Sequence, residues 1–369
     1  SSINEDDKSA VKRVLDSEFL GMGPEVEKFE KQLASYFNRK VTCVSSGTSA
    51  LQLALESAGI SHGDEVLVQS LTYVASFQAI SATGAKPIPC EVREDITIDL
   101  NDAAKKLNSS TRAIMPVHYS GGVGKLNEIY HFATKHNLRV IEDAAHAFGS
   151  SFQNKLIGSF GDISCFSFDG IKNITSGEGG CIVSDDLEIH EKSSDLRLLA
   201  VEGDTVSRFK KARSWDFDVN QQGWRYHMSD LMAALGSSQL DRFPQSAKKR
   251  QILANYYNSK LEGNNLITIM PHNYSEVVPH IYPILLNFPI DRDELRRNLL
   301  TAGIQTGVHY KPNHHLSFYN TSEISLEKTD ILYPRLLTLP LHLDLKEEDI
   351  DLVCHNLFKL IKNKLNATA

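Results

Sequence analysis

At 369 residues, 41% of them hydrophobic and 23% charged, the chain can bury a sizeable core, which excludes a peptide-sized module, a disordered tail and a fibrous repeat. Thirty-nine Lys and Arg against 46 Asp and Glu leave a formal charge of −7, so the molecule as a whole offers no attraction for nucleic acid. The five cysteines, Cys43, Cys90, Cys165, Cys181 and Cys354, are never spaced as C-x-x-C; they point to neither a disulfide framework nor a zinc site and fit a reducing cytoplasm. No apolar run approaches the roughly 20 residues of a membrane-spanning helix, and the first residues are too polar for a signal peptide, so no membrane partner is expected.

From about residue 41 to 185, short β-branched runs alternate with helical patterns. Val41-Thr42-Cys43-Val44 predicts a strand and residues 49–55 a helix; Glu65-Val66-Leu67-Val68 predicts a strand and residues 74–80 a helix. Residues 113–117 read as the next strand, 126–136 as a helix with Leu126, Ile129, Tyr130 and Ala133 on one face, and 139–141 as a buried strand. Such alternation predicts a mainly parallel sheet covered by helices, with ligands bound beyond the carboxyl ends of its strands. Residues 200–222 are polar and irregular, with Lys210, Lys211 and Arg213 close together, which predicts a functional or interface loop. Beyond Pro244, a helix over 246–261, an apolar stretch over 281–288, a helix over 293–302 and a closing helix over 347–363 predict a smaller α+β domain, dividing the chain into 1–243 and 244–369.

Three stretches carry chemistry. Ser45-Ser46-Gly47-Thr48-Ser49 stands between a strand and a helix, where small residues let helix N-terminal N–H groups approach an anion such as a phosphate. By itself it also reads as an ordinary capped turn. Ile141-Glu142-Asp143-Ala144-Ala145-His146 puts acids at the end of an apolar strand. In a partly dry pocket Asp143 needs a cationic partner, and a protonated ring nitrogen suits it; a helix cap or a magnesium ligand are the plainer readings. Cys165-Phe166-Ser167-Phe168-Asp169-Gly170-Ile171-Lys172 leads from a strand into a loop that returns through Gly177-Glu178-Gly179-Gly180 to the strand Cys181-Ile182-Val183. A lysine there, once desolvated, is an amine nucleophile for Schiff-base chemistry; left in solvent it is a surface charge.

Taken in order, Gly47-Thr48-Ser49, Tyr73, Asp143 with His146, and Ser167 with Lys172 before Gly177-Glu178-Gly179-Gly180 closely resemble the DegT/DnrJ/EryC1/StrS family of pyridoxal-phosphate-dependent sugar aminotransferases. The resemblance runs nearly end to end, through Gly63-Asp64-Glu65-Val66, Pro116-Val117-His118-Tyr119, Met228-Ser229-Asp230-Leu231 and Gly307-Val308-His309-Tyr310. It implies the type I fold of pyridoxal-phosphate-dependent transferases: an α/β chain with a mainly parallel, seven-stranded-type large domain and a smaller α+β C-terminal domain. It also implies pyridoxal 5'-phosphate as cofactor and a homodimer with shared active sites. Lys172 would be the catalytic residue, joined to the cofactor as a Schiff base and shuttling the proton. Thr48, Ser49 and Ser167 would hold the phosphate, Tyr73 would stack on the ring, and Asp143 would pair with the ring nitrogen. His146 would meet the ring hydroxyl, where the family often has Gln. Arg225 and His227 stand where many relatives place an Asn that crosses to the neighbouring subunit's phosphate.

The same resemblance implies L-glutamate as amino donor and a keto-sugar as acceptor, usually a nucleotide-linked 3- or 4-keto sugar made for surface polysaccharide or lipopolysaccharide. His309, Tyr310, Lys311, His314 and His315 would meet its diphosphate, or else the carboxylate of a free keto-sugar acid such as an 8-oxo-octulosonate. Dehydratase relatives carry His in place of the lysine, so Lys172 favours transamination over a dehydratase or regulatory role. Neither a P-loop nor a well-placed G-x-G-x-x-G is present. No carboxylate lies at ligand spacing from the three His, so no metal is expected.

Overall fold

Among the described residues, twelve short strands order the chain: β1 (Lys40–Val44), β2 (Glu65–Gln69), β3 (Lys86–Cys90), β4 (Thr111–Met115), β5 (Arg139–Asp143), β6 (Ser151–Phe152), β7 (Lys155–Leu156), β8 (Ile163–Ser167), β9 (Gly180–Ser184), β10 (Ile267–Ile269), β11 (Tyr282–Leu286) and β12 (Leu336–Leu339). The structure is a computed structural model that describes residues 2–212, 215–287, 290–320 and 324–368, with side chains to residue 364. Seven strands form the central sheet in the order β1-β9-β8-β5-β4-β2-β3. Only β9 runs against its neighbours, pairing antiparallel with both β1 and β8; the remaining pairs are parallel. The mainly parallel sheet read from the alternating pattern is therefore present.

Strand alternation sorts the core onto the two faces of this sheet. Cys43, Leu67 and Phe166 pack with Phe29, Leu33 and Phe37 of the helix Pro24–Phe37 on one face. Val66, Val68 and Ile163 pack with Leu51, Leu53 and Phe77 of the helices Gly47–Ser57 and Val74–Ala82 on the other. Burying each such large side chain is worth about 1.5–3 kcal/mol. With both faces covered, the strand ends are the places left to open on solvent, and the loops that leave β1, β2, β5 and β8 do so together.

The antiparallel sheet β10-β11-β12 is covered by the helices Phe243–Leu261 and Glu347–Thr368, which contribute Leu253, Tyr257, Leu357 and Ile361 to a separate core around Ile284 and Leu337. The helices expected over 246–261, 293–302 and 347–363 are Phe243–Leu261, Arg292–Thr301 and Glu347–Thr368. Of the apolar stretch 281–288, Tyr282–Leu286 is strand and Phe288 lies outside the described residues.

The sequence reading left residues 86–90 unassigned and took 200–222 as irregular, and the structure of each has a physical cause. Lys86-Pro87-Ile88-Pro89-Cys90 is a strand despite two prolines, because β3 is the sheet edge, where a strand needs backbone donors on one side only. The segment 200–222 is not wholly irregular: Asp204–Phe209 is a short helix, tied by Arg208 Nε donating to Asp204 Oδ2 at 2.6 Å, one turn away. Arg213 lies outside the described residues.

Candidate active site

The carboxyl ends of β1, β5 and β8 and the loop after β2 converge on a cavity of about 370 Å³, lined among others by Gly47, Thr48, Tyr73, Asp143, His146, Ser167, Lys172, His309 and Tyr310. A larger hollow of about 570 Å³ runs along the edge strand β3, walled by Phe77, Pro87, Ile88, Phe318 and Tyr319; of its polar groups, Lys106 is bonded to Asp102 and Pro89 O, Glu65 to Asn108 and Ser81 to Tyr319. The chemistry belongs to the smaller cavity.

Each wall is fixed by a local device. Ser46 caps the helix Gly47–Ser57: its Oγ accepts from Ser49 N at 3.0 Å, and Ser49 Oγ accepts in return from Ser46 N at 2.9 Å. The Ser49 hydroxyl is spent in this capping box, and Ser49 does not line the cavity; Ser46, Gly47 and Thr48 do. The N–H groups of the first turn, which no helix can pair internally, open on the cavity there. Gly47 is pressed against the end of β8 so closely that a Cβ would sit 2.8 Å from Ser167 Cβ.

Asp143 ends β5 and is only 6% exposed. Its Oδ2 accepts from Ser76 Oγ at 2.7 Å and its Oδ1 from Ala145 N at 3.2 Å, and the carboxylate still faces the cavity. Lys172 enters from the loop between β8 and β9. That loop is pinned at Phe168, whose N–H donates to Gly179 O at 2.8 Å and whose carbonyl accepts from Ser176 N at 2.9 Å. The next residue, Asn173, is buried and donates to Phe148 O at 3.1 Å and Val278 O at 3.2 Å. Burial pushes the Lys172 amine below its ordinary value, against the opposing pull of Asp143 and Asp169. The result is an amine that gives up its proton more readily than a surface lysine.

The segment 307–310 closes the far side. Tyr310 and Tyr73 face each other with ring centroids 5.3 Å apart, and the Tyr310 hydroxyl is 3.0 Å from His146 Nε2. Tyr73 is 57% exposed and presents its ring to the opening. Burial, reinforced by the nearby Lys172 and His309, holds His146 well below the ordinary imidazole value, so the ring is neutral. His309 is likewise held down to about 4, chiefly by burial, and its Nδ1 lies 2.9 Å from Thr338 Oγ1.

Five other expected site residues stand elsewhere, among them His315, which is paired with Asp330. Lys311 is exposed and does not line the cavity. His314 is buried behind it, bonded to Ser70 Oγ at 2.7 Å and to Asp330 Oδ1 at 3.0 Å. Arg225 and His227 run beside Leu198 and Val44 in isolated bridges and do not line the cavity of their own chain. Arg225 is exposed; the His227 Nδ1 atom is buried without a partner among the described residues.

Reading by spacing missed Ser76, which orients Asp143 from the helix Val74–Ala82, and His280. His280 is 4% exposed, with its ring centroid 4.5 Å from that of His146 and neither ring nitrogen partnered among the described residues. The only cue for Ser76 was its place three residues after Tyr73; for His280 there was none.

A lysine, a strand-end carboxylate and a helix N-terminus gathered at the carboxyl edge of a mainly parallel sheet define a pyridoxal-phosphate-dependent transferase of the type I fold. The chain belongs to the DegT/DnrJ/EryC1/StrS aminotransferase family, whose profile matches residues 1–358. It is 35% identical, over 98% of its own length and 96% of the relative's, to the UDP-4-amino-4,6-dideoxy-N-acetyl-beta-L-altrosamine transaminase of Campylobacter jejuni. It is 32% identical to the spore coat polysaccharide biosynthesis protein SpsC of Bacillus subtilis, over 98% of this chain and 95% of that one. Among solved structures, Helicobacter pylori PseC, an aminotransferase of pseudoaminic acid biosynthesis, superposes with a TM-score of 0.91 at 28% identity, covering 98% of each chain. S. venezuelae DesV, solved with a ketimine intermediate, gives a TM-score of 0.87 at 33% identity over 96% of this chain and 94% of that one. The chain is a pyridoxal-phosphate-dependent transaminase of the sugar aminotransferase kind. Its cavity fits the cofactor: the helix start closed down at Gly47 suits a phosphate, and a buried carboxylate faces a lysine of lowered proton affinity.

Proposed function

We propose that this enzyme moves the amino group of L-glutamate onto a nucleotide-linked 3- or 4-keto-deoxy sugar for surface polysaccharide synthesis, working in the cytoplasm as a homodimer. The observation that carries the reading is the shared cavity of Lys172 and Asp143. When bound, pyridoxal phosphate supplies an electron sink for the carbon that loses and regains its proton. Asp143, held by Ser76 and Ala145, keeps a proton on the ring nitrogen. Lys172 Nζ would hold the cofactor and would carry the proton to and from the substrate carbon. Thr48, Ser167 and the first-turn N–H groups would hold the phosphate, and Tyr73 and His146 would hold the ring. His309 and Tyr310 meet the sugar. The nucleotide linkage rests on the Campylobacter relative, whose name specifies a UDP-sugar.

The test is product analysis. With L-glutamate as donor, an NDP-linked 4-keto-6-deoxyhexose should yield the amino sugar and 2-oxoglutarate by mass spectrometry. Amination of 8-oxo-octulosonate alone would move the substrate to the free-acid class, and no amination of any keto-sugar would overturn the reading.

In the dimer, Arg225 and His227 would reach the partner's cofactor phosphate, both being donors set away from their own cavity. Lys172→Ala and Arg225→Ala/His227→Ala chains, each inactive alone, should then complement. Equal mixing gives about half hybrid dimers with one intact site each, hence about a quarter of wild-type activity. Full activity of the double variant by itself would remove the shared site.

A further inference from the structure

Behind the cavity the fold assembles three ligand-type side chains that sequence spacing left incomplete. His314 and His315 occupy the short turn Asn313–His315, and Asp330 arrives from the helix Glu327–Leu332. Asp330 Oδ1 is 3.0 Å from His314 Nε2 and 2.7 Å from His315 Nε2, and the three ligand atoms all lie within 4.8 Å of one another. A divalent ion with bonds of about 2.1 Å places adjacent ligands about 3.0 Å apart in octahedral geometry and about 3.4 Å apart in tetrahedral geometry. Two edges lie at or just under the shorter of these spacings, and the third, between the two His nitrogens, is no longer than 4.8 Å, at a His315 that is partly exposed.

The supports around these groups are those of a ligand set. Ser70 Oγ accepts from His314 N at 3.2 Å and bonds Nδ1 at 2.7 Å, which fixes the ring with Nε2 toward Asp330. The helix that carries Asp330 is held at its start by Glu91, whose carboxylate accepts from Lys328 N at 3.0 Å, Thr329 N at 2.8 Å and Thr329 Oγ1 at 2.6 Å. Asp330 and His315 reach solvent, so water can complete the shell. Two His and one carboxylate with open positions suit an ion of the zinc class; an all-oxygen set would suit calcium or magnesium.

We propose that His314, His315 and Asp330 form a binding site for one divalent transition-metal ion, and that the bound ion stiffens the wall of the active site. The coupling runs through Asn313, whose Nδ2 donates to Ser70 O at 3.0 Å and Thr72 O at 2.9 Å. An ion at His314 would add a second anchor next to this one, which already joins the stretch after Tyr310 to the stretch before Tyr73. This site stands on side-chain geometry alone and does not depend on which sugar is aminated.

The experiment titrates the chelator-treated holoenzyme with Zn²⁺ by calorimetry and with Co²⁺ by visible absorption. One saturable site per chain is expected, with a rise in melting temperature on Zn²⁺ addition. His315→Leu and Asp330→Asn should each weaken that site by about 100-fold or more, and Ser70→Ala by about tenfold. Metal-free circular dichroism and melting should show both ligand variants folded like the wild type; if one fails to fold, the other carries the test. Absence of a saturable site overturns the proposal, as does equal binding by wild type and a folded ligand variant, which would mark scattered surface histidines as the binders.

Discussion

Two carboxylates stand side by side on β5, and their surroundings set them apart. Glu142, 1% exposed, spends both oxygens on the protein: Oε2 accepts from His118 Nε2 at 2.6 Å, and Oε1 from Tyr130 at 2.5 Å and Ser164 at 3.2 Å. Asp143, one residue on and turned to the other side by the strand alternation, has Ser76 and the Ala145 N–H as partners and then faces the cavity. The first is a closed polar network inside the packing; the second is a carboxylate held in place with lone pairs left for something else. Saturation of hydrogen bonds, more than burial, separates a structural acid from one that can serve chemistry.

The comparison can be broken by exchanging effects on turnover for effects on stability. Lys172→Ala should lower turnover by about 10⁴-fold or more, since the proposed proton carrier and covalent anchor are lost together, while leaving circular dichroism unchanged; retained turnover would dissolve the role of the cavity. Asp143→Asn should cost about 10²–10³-fold in kcat, the scale of losing one preorganised electrostatic partner, with little change in melting. Ser76→Ala, which leaves Asp143 charged but poorly oriented, should cost about tenfold. Glu142→Gln should do the reverse: a loss of about 1–3 kcal/mol in denaturant unfolding with near-normal kcat per folded molecule. If Glu142→Gln were inactive yet fully stable, or Asp143→Asn unstable yet active, the division between the two acids would be wrong.

The smallest effect is on pH. His146, His309 and His280 are kept neutral chiefly by burial, His309 down to about 4 and the other two well below the ordinary value. Their folded pKa values lie below the unfolded one of about 6.5, so the unfolded chain binds more protons in between. The stability they contribute is complete above about pH 6.5 and is lost as pH falls toward 4. Melting temperature should fall over that window, and His309→Asn should flatten the slope; an unchanged slope would place the acid sensitivity elsewhere.

Much of this was legible in the chain because it depends on neighbours in sequence. The runs 41–44, 65–68 and 139–141 are β-branched and bounded by turns, so β1, β2 and β5 and the strand-end position of Asp143 follow from pattern alone. The edge strand β3 was hidden by Pro87 and Pro89, whose tolerance depends on a neighbour that is missing, a tertiary fact. Ser49 looked like a phosphate ligand because its motif is right, yet its hydroxyl closes the capping box with Ser46. Asp330 reaches His314 and His315 from another helix, and Ser76 and His280 reach the cavity from elements with no motif of their own. What spacing cannot encode is the meeting of distant segments.

The central claim, that Lys172 is the amine that holds the cofactor, is tested most directly by borohydride. Reducing the yellow enzyme should abolish its visible band and leave a phosphopyridoxyl mass on the peptide that carries Lys172, at about one per chain, and prior incubation with L-glutamate should protect that peptide. The modification found on a different lysine, or a stoichiometric cofactor that leaves Lys172 unmodified after reduction, would contradict it.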